Sequence, residues 1–213
     1  MHKGMTLAET AREIHENAKA YGWWDEERET AEVYALIHSE WSEALEEYRA
    51  GRPDRWYFCE AEDKIGMCHA GADCALLPNI ACKHRGSKPE GVCVELIDGV
   101  IRILDYIAYR GEADEYNVGS ADWYFEMLDA EGEKWTNKVR AMSVPVLVNR
   151  LHIETCGAWR ALQMNDGFET DSLLETATVA WQWIKGRGLD PEELLIEKHE
   201  YNMTRPYKHG KVC

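Results

Sequence analysis

Two short acidic patterns carry the chemistry of this sequence: Glu40-Trp41-Ser42-Glu43 and Glu95-Leu96-Ile97-Asp98. Each sets two carboxylates three residues apart in a stretch with helical apolar spacing, so both acids lie on one helix face. Two such helices packed face to face bring four carboxylates to one point. Left unneutralised, such a group repels itself and raises its own pKa values. A hard divalent cation resolves the repulsion. Mg²⁺ takes carboxylates and water, with substrate phosphates completing its shell, and Mn²⁺ suits the same oxygen donors. The pattern points to metal-assisted chemistry on a phosphorylated substrate.

Acidic pairs at this spacing also decorate solvated helix faces, above all in a chain of net charge −15. Their flanks decide between the two readings. Val33-Tyr34-Ala35-Leu36-Ile37 precedes the first pair, and Val100-Ile101-Arg102-Ile103-Leu104-Asp105 follows the second. Carboxylates embedded in such helices face an interior.

The elements that must position these acids read as helices throughout. A first helix runs from Leu7 to Tyr21 and stops at Gly22, and a second runs from about Thr30 to Arg49, broken by Gly51-Arg52-Pro53. A third runs from about Pro89, suited to a first helical turn, to Arg110. Its apolar residues cover most of its circumference, as expected of the central helix of a bundle. Further helices are predicted near Asp122–Ala130, Val144–Leu162, Ser172–Lys185 and Pro191–Tyr201. Strand signals are sparse, and the fold class is all-α. Between Asp54 and Pro89 lies a Cys-rich stretch without a clean period, read as a loop insertion.

A degenerate internal repeat accompanies this order. His38-Ser39-Glu40-Trp41-Ser42-Glu43-Ala44 aligns with His152-Ile153-Glu154-Thr155-Cys156-Gly157-Ala158, and Val94-Glu95-Leu96-Ile97-Asp98 with Leu174-Glu175-Thr176-Ala177-Thr178. Each second copy keeps the first Glu and loses the second acid, while Asp105 becomes Lys185. Two related helix pairs packed with pseudo-symmetry follow from such a repeat. The expected organisation is a first repeat over 1–119, with the insertion at 54–89, and a second over 120–213, packed as one globular unit.

Composition narrows the function. A chain of 213 residues with 45% hydrophobic content builds a real core. Its acidic balance excludes a general nucleic-acid surface, yet a bound cation and a few basic residues still accommodate a nucleotide. No apolar run approaches the roughly 18 residues of a membrane span. The N-terminus carries no apolar signal core, and seven cysteines stand without a secretory signal. A cytoplasmic protein with no membrane partner is expected.

In the order of its motifs the chain resembles the MazG-like all-α nucleoside triphosphate pyrophosphohydrolases. The likeness rests on Leu36-Ile37-His38-Ser39-Glu40-x-Ser42-Glu43-Ala44-Leu45, then Lys88-Pro89-Glu90-Gly91 and Val94-Glu95-Leu96-x-Asp98. The run Lys198-His199-Glu200-Tyr201-Asn202-Met203-Thr204-Arg205-Pro206-Tyr207-Lys208-His209-Gly210 is similar to that family's tail. The resemblance implies cleavage of (d)NTPs between the α- and β-phosphates to the monophosphate and pyrophosphate. It implies Glu40, Glu43, Glu95 and Asp98 as Mg²⁺ ligands and catalytic acids; Asp105, two turns further along the third helix on roughly the same face as Asp98, is a candidate supporting acid. Lys198 and Asn202 would contact phosphate and sugar, and Arg205 phosphate. The insertion lengthens the spacer between the acidic motifs beyond the family's usual length. Family members generally build the site from two subunits. Here the second repeat could supply the partner helices within one chain, as a fused pseudo-dimer with one working site; a homodimer is the other arrangement.

Secondary signals remain. Cys59, Cys68, His69, Cys74, Cys82 and His84 in the insertion offer thiolates and imidazoles suited to zinc, though their spacings match no compact knuckle. Cys93, Cys156 and Cys213 read as ordinary helix or tail residues. Trp23, Trp24, Trp41 and His38 could flank a nucleobase; core filling is the commoner role of such tryptophans, and Trp24 and His38 are the best candidates for base contact. The competing reading is a non-catalytic helical interaction module with a zinc-stabilised Cys-rich loop.

Overall fold

The computed structural model describes residues 1–61, 64–68, 88–116, 119 and 133–210; for 58–61, 64–68, 133–134 and 209–210 the description covers the backbone alone. Seven α-helices dominate the described residues: α1 (Leu7–Ala20), α2 (Thr30–Arg49), α3 (Val92–Tyr109), α4 (Glu133–Arg140), α5 (Val144–Met164), α6 (Glu169–Gly186) and α7 (Pro191–Asn202). The fold is all-α, with one small antiparallel sheet added to it.

Local chemistry sets the helix ends. Thr6 and Glu9 close a capping box at the start of α1, the Thr6 hydroxyl accepting from the Glu9 amide at 3.2 Å and the Glu9 carboxylate accepting from the Thr6 amide at 2.9 Å. Asp190 caps α7 by accepting from the Glu192 and Glu193 amides, with Pro191 in the first turn. Asn165, at φ 51°, ends α5 in the left-handed conformation.

The insertion is the main departure from the sequence-based expectation. Trp56–Ala61 (β1) and Lys64–Cys68 (β2) pair as an antiparallel hairpin. The third helix does not begin at Pro89: Pro89–Glu90 (β3) pairs with β1 in the register Trp56↔Glu90 and Tyr57↔Pro89. Gly91 breaks the chain out of that strand at φ 116°, a conformation that favours glycine. A Cβ there would lie 2.7 Å from the carbonyl oxygens of Pro53 and Asp54. The helix predicted near 122–130 lies outside the described residues, as do His69, Cys74, Cys82 and His84 of the zinc reading. Cys59 and Cys68 fall on the hairpin backbone.

Helix α3 is the centre of the molecule. Twelve of its residues are buried, and it packs against α1, α2, α6 and α7. Helix α2 lays Val33, Ile37, Trp41 and Ala44 on it, a stripe at helical spacing. Helix α5 packs on α6 in the same way, and the two pairs join through α2 on α5 and α3 on α6. One continuous apolar core, from Leu7 to Leu195, runs through all of them. Among the described residues no helix is long and apolar enough to cross a membrane.

Candidate metal-binding cleft

The acids meet because α2 and α3 are packed along their lengths. Glu40 and Glu95, each 4% exposed, face one another across that interface with Asp98 beside them. One carboxylate oxygen from each of the three lies within 4.8 Å of the others, the one group of three or more such ligand residues among the described residues. Glu43, one turn beyond Glu40, lines the same cleft from its exposed rim and lies outside that group. Three of the four predicted ligands therefore converge, and the fourth borders them.

Positive charge surrounds the group. Arg102, four residues after Asp98 on the same α3 face, donates from Nε to Glu40 Oε1. Lys198 reaches over from α7 with its Nζ 2.7 Å from Asp98 Oδ2, and only 2% of its side chain is exposed. Lys88 pairs with Glu90 at 2.7 Å and also lines the cleft. The Glu95 carboxylate, unlike its backbone N–H, which donates to Gly91 O at 3.0 Å, has neither hydrogen bond nor ion pair among the described residues.

The protonation equilibria follow from burial and spacing. Burial pushes the Glu95 carboxyl up to about 9; the Asp98 charge adds to the rise, and Lys198 and Lys88 oppose it. Burial also raises the pKa of Glu40, with Asp98 and Glu43 adding to the rise against Arg102. Burial works against the Lys198 ammonium, but Asp98 and Glu95 outweigh it and push its pKa up to about 12. Without a cation, this geometry favours a proton on one of its carboxyls. The donor set, three buried or half-buried carboxylates with Glu43 alongside, fits a hard, oxygen-seeking ion such as Mg²⁺.

The cleft extends from the acids toward the first helix and the tail. Its cavity volume is about 140 Å³, and the cleft opens widely to solvent. Of the predicted substrate contacts, Lys198, Asn202 and Arg205 line it, as does Asp105. Asp105 is separate from the three-carboxylate group. Its Oδ1 accepts from His15 Nδ1 at 2.7 Å, and Trp24 Nε1 donates to both oxygens at 3.0 and 3.1 Å. Burial nevertheless raises its pKa, against His15, Trp24 and Arg102.

Two predicted base contacts fall elsewhere. Trp24 stacks on Tyr109 with ring centroids 4.0 Å apart and holds Asp105; its neighbour Trp23 lines the cleft instead. His38 lies at the seam between α2 and α5, its Nδ1 2.8 Å from Nδ1 of His152. Sequence reasoning missed the cleft roles of Arg102, Arg28, Asn17 and Tyr21. For Arg102 a signal was present: Glu95, Asp98, Arg102 and Asp105 repeat at intervals of three and four residues, which is one helix face.

The positions that the sequence alignment pairs with these acids form no equal of this site among the described residues. Glu154 pairs with Arg150, and Glu175 has a pKa raised by burial and by the Glu154 charge. In place of Asp98 stands Thr178, whose hydroxyl donates to its own helix at Leu174 O, 2.8 Å away. In comparisons with known proteins, no family model, no curated protein and no solved structure matches the chain.

Proposed function

We propose that this chain is an Mg²⁺-dependent nucleoside triphosphate pyrophosphohydrolase, cleaving (d)NTPs to the monophosphate and pyrophosphate. The observation that carries the reading is the convergence of Glu40, Glu95 and Asp98 within 4.8 Å at a cleft that also holds Lys88, Arg102, Lys198 and Arg205. Buried acids beside several cations are the combination that binds a metal and a polyphosphate together. The motif resemblance to the MazG-like enzymes supports the same conclusion.

Glu40, Glu95 and Asp98 would hold Mg²⁺, which when bound supplies Lewis-acid polarisation and lowers the pKa of a coordinated water. Mn²⁺ fits the same donors. The chain's own residues do the rest. Lys198 and Arg205 orient the phosphates for in-line attack and offset the charge that develops on the departing pyrophosphate. Glu43, exposed at the rim, takes the proton of the attacking water on a carboxylate oxygen. The new bond joins the water oxygen to phosphorus, and the bond that breaks is the α–β anhydride. Trp23, which lines the cleft, provides an aromatic face for the base, and Asn202 a polar edge for the sugar.

We also read the two helix pairs as a fused pseudo-dimer in which the second site has decayed. Support comes from residues that the repeat aligns and the fold brings into contact. His38 meets His152, and Trp41 Nε1 donates to Thr155 Oγ1 at 3.0 Å. A residue touching its own equivalent is what a two-fold axis between α2 and α5 produces.

The test is product analysis. Purified protein is incubated with Mg²⁺ and a panel of NTPs and dNTPs, with Glu43→Gln as control. Monophosphate and pyrophosphate in equal amounts, lost in the variant, is the expected result. Intact nucleotides throughout, or release of inorganic phosphate alone, would sink the assignment.

A further inference from the structure

A second constellation lies on the seam between α2 and α5, outside the cleft, and its donors are of a different chemical kind. His38 projects from α2, while His152 and Cys156 project from α5 one turn apart at the i, i+4 spacing that places two side chains on one helix face. The His38 and His152 ring planes are nearly parallel, at 16°, with centroids 5.1 Å apart and Nδ1 atoms 2.8 Å apart. That contact leaves His38 Nε2 directed at Cys156 Sγ, 3.9 Å away. Cys156 is exposed and His38 is half-buried, so solvent and ions reach the sulfur.

We infer that Cys156 and His38 form a binding site for a thiophilic first-row ion of the zinc class, with His152 as the outer partner that orients His38. A tetrahedral zinc with a sulfur ligand at about 2.3 Å and a nitrogen at about 2.05 Å sets those two atoms roughly 3.6 Å apart. The pair already stands close to that separation and needs only a small side-chain adjustment. A metal-bound imidazole characteristically donates its second ring N–H to a fixed acceptor, which sets its tautomer and orientation. His152 Nδ1 occupies that place for His38, and a hydrogen bond between two Nδ1 atoms requires one of them to be bare. The remaining coordination positions face solvent and take water. Thiolate and imidazole select zinc-class ions over Mg²⁺, so the seam and the carboxylate cleft would sort two different metals. With one ligand from each helix, a bound ion cross-links the two helix pairs two residues from Glu40.

The experiment uses the full chain with reduced thiols, excess Mg²⁺ to occupy the carboxylate group, and Co²⁺ as the spectroscopic probe. Equilibrium dialysis counts bound cobalt, and the thiolate-to-cobalt charge-transfer band reports sulfur ligation. The wild type should bind one equivalent more than Cys156→Ser and than His38→Gln, with a matching loss of the band. Cysteines of the hairpin region contribute equally to all the variants and cancel. His152→Ala should keep the stoichiometry but weaken binding by about 10-fold or more, as loss of an outer partner does. Cys156 is exposed, so its variant keeps the fold, and circular dichroism checks the histidine variants. Equal cobalt counts and equal bands in wild type and Cys156→Ser would overturn the site. A band lost in Cys156→Ser but unchanged in His38→Gln would overturn the assignment of His38. Neither result bears on the pyrophosphohydrolase reading.

Discussion

At the scale of single residues, Glu95 is the clearest conflict between stability and chemistry. Its carboxyl is buried without an ion pair among the described residues, and its pKa rises from the ordinary value of 4.5 to about 9. The unfolded chain releases that proton near the ordinary value, while the folded chain keeps it to the raised one. Stability of the metal-free protein must therefore fall as pH rises through that window, by at most roughly 1.4 kcal/mol per pH unit. Glu95→Gln should flatten this slope and make the metal-free protein more stable at pH 8, while abolishing the Mg²⁺-induced rise in Tm. Thermal unfolding across pH, with and without Mg²⁺, measures both; an unchanged slope in the variant would contradict the account. Lys198 tests the same electrostatics from the other side. Removing its buried ammonium strands the Asp98 carboxylate, so Lys198→Met should cost about 3 kcal/mol in metal-free denaturant unfolding. Mg²⁺ should restore a substantial part by neutralising Asp98. A loss that Mg²⁺ leaves untouched would mean that Lys198 serves packing alone.

At the scale of elements, the site depends on how closely α2 approaches α3, and Gly99 sets that distance. A Cβ at Gly99 would stand 2.1 Å from Trp41 Cζ3 and 2.2 Å from Cη2. The indole is fully buried and anchored through its N–H to Thr155, so it has little freedom to yield. At an exposed helix position, Gly→Ala gains about 1 kcal/mol of helix propensity. At Gly99 the clash outweighs that gain, and the substitution should cost about 2 kcal/mol by denaturant unfolding. Because Glu40 and Glu95 face each other across the same interface, Mg²⁺ affinity should fall with it, by about 10-fold for every 1.4 kcal/mol of misalignment. Calorimetric titration measures that loss; full affinity in a destabilised variant would separate the helix spacing from the site. The helices themselves were legible in the sequence, since their apolar periods and caps are local. The start of α3 was not. Pro89 fits a first helical turn as well as a strand, and only the pairing of Pro89–Glu90 with residues more than 30 positions earlier selects the strand. The hairpin of β1 and β2 escaped for the same reason: its pairing is tertiary, and its Cys and Gly content masks any alternation.

At the scale of the whole molecule, the acidic motifs could be read directly, because two i, i+3 pairs on apolar helices have few ways to meet. Of the cations, Arg102 shares the readable α3 face, whereas Lys198 and Arg205 follow only from the motif resemblance. Lys198 reaches the acids only because α7 lies across α3, a contact that no local pattern reports. Trp24 and His38 misled because an aromatic residue near a motif says nothing of which way its ring turns; one ring holds Asp105 and the other meets His152. The pseudo-symmetric reading makes the last demand. If the second helix pair is a decayed copy that serves as partner surface, its acids carry no chemistry. Glu154 is already satisfied by Arg150, and Thr178 and Gly157 supply no carboxylate beside Glu175. Glu154→Gln and Glu175→Gln should then change kcat/KM less than twofold, whereas Glu43→Gln lowers it by at least 100-fold, the cost of a lost general base. Glu175→Gln should also raise stability slightly at neutral pH, since it removes a carboxyl whose pKa burial has raised. Steady-state kinetics on the three variants decides. A loss from either second-repeat variant as large as that from Glu43→Gln would mean two working sites, and the asymmetry between the repeats would need another cause.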